Sequence, residues 1–385
     1  MTRSPGSPLA GKRVCVIQAV MKRYREPFYL RLRDLLASDG IELEVVYGPP
    51  WPQEALRGDN VDLSPPLGRR VPNWWLFGRV LMQPVLRPWM RADLVIVEHA
   101  NKYALNYFLM LLDAAGIKRL AYWGHGRDRQ TPEGTFGAWL RRRTLAWSHW
   151  WFAYTRGALE DVAAAGFPRD RITVVGNAID TQALREQLAS VGPTQVEAAR
   201  QRLGWSEFDR VVVCCGSLHP NKHVDALIEA SDAMHAADPR LRLLVIGGGP
   251  GLHRVQELAA SRPWVRCVGP QFGSDLAVLL RLAELWLNPG LVGLGVLDAF
   301  CAGLPVITRD IDVHSPEVEY IEHGVNGLIL GTDMAAYAGA VIELLHDDKR
   351  LRRMQRAAHD SAARRSIDAM AENFARGITA CLSRR

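Results

Sequence analysis

Nowhere in this chain is there an apolar run long enough to cross a bilayer, which argues against an anchoring transmembrane helix within the sequence. The opening MTRSPGSPLAGKR also lacks the apolar centre of a secretory leader, so a cytoplasmic protein is expected. Cysteine is scarce: six in 385 residues, with no C-x-x-C pair and no His/Cys cluster at zinc spacing. A disulfide scaffold and a structural metal are therefore not expected. Cys15, Cys214, Cys215, Cys267, Cys301 and Cys381 read as reduced core thiols. The same reading finds no D-x-D triplet at a strand end and expects no metal. There is no internal repeat, no low-complexity tract and no nucleic-acid-binding motif.

What is present is unevenly spread. Residues 1–190 hold 26 Lys and Arg against 18 Asp and Glu, whereas 191–385 hold 21 against 23. Nine of the 12 tryptophans also lie in the first half. A basic, Trp-rich half beside a near-neutral one suggests two domains with different partners.

Short apolar runs rich in β-branched residues predict strands at 13–20, 43–48, 92–99, 118–124, 151–155 and 171–177. Helical spacing lies between some of them, as in FYLRLRDLLASDG (28–40) and YALNYFLMLLDAAG (103–116). The stretch 181–206 is polar and reads without a strand. A second series follows at 209–217, 242–249, 264–269, 285–289 and 304–308, and 333–385 reads as Ala- and Arg-rich helices. The alternation predicts an α/β protein of two doubly wound, mainly parallel domains, 1–190 and 191–365, with a last helix over 366–385. Such sheets take ligands at the carboxyl ends of their strands, so a ligand cleft between the domains is expected.

Glycine marks those ends in the second half. In NPGLVGLGVLDAFCAGLPVI (288–307), Gly290, Gly293 and Gly295 separate a strand from a helix carrying Asp298. Glycine admits close approach of a ligand to the backbone, and free N–H groups at a helix start attract phosphate. Asp298 could accept from the hydroxyls of a sugar or ribose. Tight strand–helix packing with a capping acid accounts for the same residues equally well. GSLHPNKH (216–223) puts Lys222 where a point charge could neutralise a diphosphate. GGGPG (247–251) lacks the full G-x-G-x-x-G spacing, which weakens a nicotinamide-dependent oxidoreductase as a rival reading.

Together VVGNAIDT (174–181), GSLHPNKHVDALIEA (216–230), VIGGGPGL (245–252), VGPQF (268–272), PGLVGLGVLDAFCAGLPVIT (289–308) and HSPEVEYIEHGVNG (314–327) resemble, in order and spacing, the retaining GT-B glycosyltransferases of family 4. The resemblance implies a GT-B fold, two Rossmann-like domains facing a central cleft. The N-terminal domain would bind the acceptor and the C-terminal domain the donor, with the last helix packing back towards the N-terminal domain. It implies metal-independent transfer of a hexosyl group from a UDP- or GDP-linked sugar and no further cofactor. The acceptor would be a glycan or a polyprenyl-diphosphate-linked glycan of bacterial surface polysaccharide: lipopolysaccharide, capsule or exopolysaccharide.

The donor residues implied are Gly216, Ser217, Lys222, Gly248, Gly290, Leu291, Val292, Gly293, Leu294 and Asp298. Lys222 falls on the diphosphate lysine and Asp298 on the ribose-binding second acid of an E-x7-E pair. Gly290 replaces the first acid and Ser217 the usual arginine, so the N–H groups of residues 291–294 are expected to take over sugar recognition. A non-catalytic nucleotide-sugar-binding subunit and a nucleotide-sugar epimerase of the same fold are the alternatives.

In the first half, the resemblance places His125, flanked by glycines in YWGHGRDR (122–129), near the transferred sugar as a catalytic residue together with Lys222. Arg23, Arg25, His125 and Arg127 are the acceptor-binding candidates, with Glu98 and His99 weaker ones. His314 and Glu317 read as structural. Residues 63–92 carry five arginines, four large aromatics and no acid. With Arg141–Arg143, Trp147, Trp150 and Trp151, they suggest contact with an anionic membrane, at the inner face of the cell membrane.

Overall fold

The computed structural model describes residues 8–55, 60–78, 80–85, 90–100, 102–126, 139–140 and 143–384. The chain divides into two compact units, Met1–Ile179 with Ile367–Arg385, and Asp180–Ser366.

The first unit is built on a seven-stranded parallel sheet. Its strands are β1 (Arg13–Val20), β2 (Glu42–Gly48), β3 (Gly68–Arg70), β6 (Leu94–Glu98), β7 (Arg119–Gly124), β8 (Trp150–Ala153) and β9 (Ile172–Val174), in the order β3-β2-β1-β6-β7-β8-β9. Two short strands, β4 (Trp74–Leu76) and β5 (Val80–Met82), form a separate antiparallel hairpin. Central strands such as β1 are covered on both faces, so Val14, Cys15, Val16 and Ile17 are all buried in sequence.

The helix Glu26–Ser38 starts on Pro27 and buries Phe28, Leu32 and Leu36, one stripe at helical spacing. The helix Ile367–Ser383 packs on it and on β8 and β9. Phe374 stacks on Phe152 with ring centroids 4.3 Å apart. Arg119 Nη1 donates to the carbonyls of Cys381 (3.0 Å) and Leu382 (2.6 Å), satisfying acceptors that the helix end leaves open.

The second unit carries a six-stranded parallel sheet: β10 (Arg210–Cys215), β11 (Leu241–Ile246), β12 (Val265–Cys267), β13 (Leu285–Asn288), β14 (Val306–Arg309) and β15 (Gly327–Leu330). Their order is β12-β11-β10-β13-β14-β15. Val212, Leu243, Leu285 and Ile307 form its centre, covered by Leu227, Ile228, Tyr337 and Val341 from two helices.

The division falls before the helix Thr181–Ser190, which was read with the first domain. That helix is capped by Asp180, which accepts from Ala183 N–H, and it packs on the helices Gly273–Leu280 and Gly295–Cys301 of the second unit. Among the elements the sequence reading missed, β15 is four residues long and β3 is a polar edge strand that only pairing with β2 makes visible.

Candidate functional site

Because β10, β11 and β13 run parallel, their carboxyl ends share one edge of the sheet. Two of the turns leaving them are stitched by backbone. Leu218 N–H donates to Gly248 O and Gly251 N–H to Leu218 O, both at 2.8 Å. Gly247, at φ 150°, approaches so closely that a Cβ there would lie 1.9 Å from Gly216 O. The glycines of 247–251 thus serve the joint between two loops.

The third turn, 289–294, closes on the turn Pro220–Lys222. Leu291 N–H donates to Asn221 O at 2.8 Å. A Cβ on Gly290 would stand 2.3 Å from that same oxygen and 2.5 Å from Lys222 Cα. The missing first acid therefore has a steric cause: no side chain fits at 290 while these turns meet.

Lys222 Nζ donates to Leu291 O at 2.5 Å, and Asn288 Nδ2 donates to the same carbonyl at 3.2 Å. Among the described residues no carboxylate pairs with Lys222, and burial lowers its pKa. Asp298 stands on the helix Gly295–Cys301, partly shielded, with burial pushing its carboxyl up to about 7. The Cys215 thiol is raised by burial and by the neighbouring Asp298. Ser217 is exposed at the end of β10.

Arg309, which carried no sequence signal, and His314, read as structural, hold the loop. Arg309 Nε donates to Pro289 O at 2.7 Å. His314 Nδ1 accepts from Val292 N–H at 3.0 Å. His314 Nε2 therefore carries the proton and donates to Arg309 O at 2.7 Å. This corrects one expectation: the N–H groups of Leu291 and Val292 are already engaged, by Asn221 and His314. Those of Gly293 and Leu294 donate to no described residue. The absence of a D-x-D triplet is also corrected, since Asp310 and Asp312 follow β14, both exposed. Among the described residues no group of three His, Cys, Asp or Glu could hold a metal ion.

In the first unit the carboxyl ends carry interacting side chains beside their glycines, with Gly124 closing β7 and Gly126, at φ 71°, following His125. Arg25, one of the acceptor-binding candidates, is buried. Its guanidinium donates to Tyr154 OH at 3.1 Å and lies 4.7 Å from the Trp123 ring and 4.9 Å from the Tyr24 ring. The Tyr154 ring lies 4.6 Å from that of His125. Tyr154 thus joins two residues singled out from the sequence. It was missed, although it follows β8, whose register sets Ala153 beside Gly124.

Arg23 is exposed, and Arg127 lies outside the described residues. Glu98 accepts from Tyr103 OH at 3.1 Å. His99 is buried against Tyr122 and Trp151, with Nε2 3.1 Å from Thr144 Oγ1. Trp150 and Trp151 are core residues of β8, which removes them from the surface cluster expected at 141–151. Arg141 and Arg142 lie outside the described residues.

Two family models match the chain: "Glycosyltransferase Family 4" over residues 26–183 and "Glycosyl transferases group 1" over 209–347. The chain belongs to the group 1 glycosyltransferases of the GT-B fold. This group 1 glycosyltransferase is 33% identical over 231 residues to the D-inositol 3-phosphate glycosyltransferase of Nocardia farcinica, covering 56% of this chain and 49% of that one. The chain spans about half the length of the curated relatives it matches.

Among solved structures, Anabaena HepE in complex with UDP superposes with a TM-score of 0.68 at 17% identity, covering 95% of this chain and 99% of that one. WaaG, a glycosyltransferase involved in lipopolysaccharide biosynthesis, gives 0.62 at 16%, covering 94% and 98%. At these identities the shared property is the fold.

Proposed function

We propose that this group 1 glycosyltransferase moves a sugar, with retention and without a metal, from a UDP- or GDP-linked donor onto a glycan or lipid-linked glycan of a bacterial surface polysaccharide. The observation that carries the donor half is Lys222. A partly buried ammonium with no carboxylate partner among the described residues, at the carboxyl edge of a parallel sheet, leaves positive charge to be met by an anion. A diphosphate supplies that anion, and Asp298 on the helix after β13 then accepts from ribose hydroxyls. HepE is known in complex with UDP and with UDP-glucose, and WaaG acts in lipopolysaccharide biosynthesis, which favours this donor class and this setting.

In the reaction the anomeric carbon–phosphate oxygen bond breaks and a bond to the acceptor oxygen forms on the same face. The acceptor proton passes to the leaving phosphate oxygen, so no side-chain base is required. Lys222 offsets the charge that develops on the diphosphate. His125 orients a hydroxyl of the transferred sugar or of the acceptor, and Arg23 meets acceptor phosphate. Titration calorimetry with UDP and GDP, on the intact protein and on Lys222→Ala, tests the reading. Tight binding of one diphosphate that the variant loses is expected; no binding of either would sink it.

A further inference from the structure

The hairpin β4–β5 in the first unit is apolar on both faces. Its register pairs Trp74 with Met82, Trp75 with Leu81 and Leu76 with Val80, so these pairs alternate between faces. One face turns inward: Leu81 is buried, and Trp75 packs edge-on to Trp51 with centroids 5.4 Å apart. The other face would be polar in a ribbon that meets only water. Here it carries Trp74 at 53% exposure, Leu76 at 44% and Met82 at 41%. At the tip Phe77 is 98% exposed and held at φ 51°, a backbone conformation a bulky residue rarely adopts. The helix Ala104–Ala114 packs beside β5 and adds exposed Leu111.

Charge decides what this surface meets. The stretch 63–92 has five arginines and no acid. Of these, Arg69 and Arg70 pair with Glu44 and Asp62, whereas Arg91 is exposed, as is Lys102 just beyond the stretch. A second copy of the chain would set like charges against each other, whereas an anionic lipid surface complements them and accepts Trp, Phe, Leu and Met at its headgroup boundary. We infer that the outward face of the 74–82 hairpin, led by Phe77, inserts into an anionic bilayer and holds the first unit on it. This deepens the reading of a lipid-linked acceptor, and its test is independent of transfer.

Flotation of the full chain with vesicles of phosphatidylcholine alone, and with equal parts phosphatidylglycerol, gives the measurement. Binding to the mixed vesicles only is expected, weakening as salt rises. The double variant Leu76→Ser, Phe77→Ser changes exposed side chains and should fold, verified by an unchanged melting temperature. It should lower the partition coefficient at least about tenfold, while Phe208→Ser, an exposed aromatic of the second unit, leaves it unchanged.

Equal flotation of the double variant and the parent overturns the inference. So does a parent that never floats, or a parent dimer that the double variant converts to monomer. Sugar transfer to a soluble acceptor fragment, measured on the same samples, separates the two readings. Flotation without transfer leaves the hairpin assignment standing and removes the enzymatic one; transfer without flotation does the reverse.

Discussion

The two units solve the same problem with different materials. Both expose the carboxyl ends of a parallel sheet. In the second unit those ends are tied backbone to backbone: Leu218 to Gly248 and Gly251, and Leu291 to Asn221. In the first unit they are tied side chain to side chain, Arg25 to Tyr154 and Tyr154 against His125. A backbone-built site presents N–H and carbonyl groups that almost any residue could supply, and it depends on a few residues that must have no side chain. A site built of side chains depends on the identity of each one. The first construction suits a ligand part common to many reactions, such as a diphosphate. The second suits the acceptor that the proposal assigns to the first unit, a ligand that differs from one enzyme to the next.

The most drastic way to break the backbone-built site is to give Gly290 a side chain. Gly290→Glu would restore the acid that the E-x7-E pattern carries, and recognition by sequence pattern alone predicts a gain. Sterics predict the opposite, because a Cβ 2.3 Å from Asn221 O forces the two turns apart. Loss of detectable UDP or GDP binding in calorimetry is expected. A fall in stability of about 1–3 kcal/mol should appear in urea unfolding. Improved donor binding would show that the turns separate at little cost.

The side-chain site is broken at His125. In the proposed reaction the leaving phosphate takes the acceptor proton and His125 orients rather than abstracts, so His125→Ala should lower kcat roughly ten- to a thousandfold. Nucleotide affinity, which the proposal assigns to the second unit, should stay within about twofold, well below the tenfold that about 1.4 kcal/mol represents. Steady-state rates with calorimetry on the same sample test the split. A variant that loses both in proportion to its folded fraction places His125 among structural residues.

Lys222→Ala comes next. Removing one charge-assisted contact should weaken nucleoside diphosphate binding by about 1.5–3 kcal/mol. Leu291 O keeps Asn288 Nδ2 as a donor, so the loop should hold and the melting temperature should move little. Unchanged affinity would remove Lys222 from the diphosphate.

Most of the architecture could be read from the amino acids alone. Val14–Ile17 and Val211–Cys214 are buried in sequence, and their continuous apolar runs announce it. Lys222, Asp298 and His125 were legible because each lies in, or just after, a glycine-bearing turn that follows a strand. Arg309 and His314 were not assigned their roles, because those roles depend on pairing: Arg309 reaches Pro289 across 20 residues and His314 reaches Val292 across 22. The hairpin was half legible. Its composition pointed to a surface, yet Trp74 and Trp75 are adjacent and equivalent in composition. Only the register assigns Trp74 outward and Trp75 to Trp51.

The smallest effect tests the ribose contact proposed for Asp298. Burial raises the Asp298 carboxyl from its ordinary value of 3.8 to about 7. The folded state therefore keeps a proton there that the unfolded chain gives up near pH 4. Between those values the unfolded chain binds fewer protons, so this group's stabilising contribution is complete below pH 4 and declines as pH rises through 7. Asp298→Asn should match the parent's stability near pH 4 and exceed it above pH 8.

Binding runs the other way. An ionised carboxylate accepts more strongly from ribose hydroxyls than a neutral acid, by about 1 kcal/mol. UDP-glucose or its GDP counterpart should thus bind roughly fivefold tighter at pH 8 than at pH 6. The intact sugar nucleotide is the right probe, since each of its phosphates carries one ester and the shared anhydride and neither titrates in this range. In Asp298→Asn the pH dependence should vanish while weak binding remains. If parent and variant bind with the same pH profile, Asp298 makes no contact with the ribose and only fills the start of its helix.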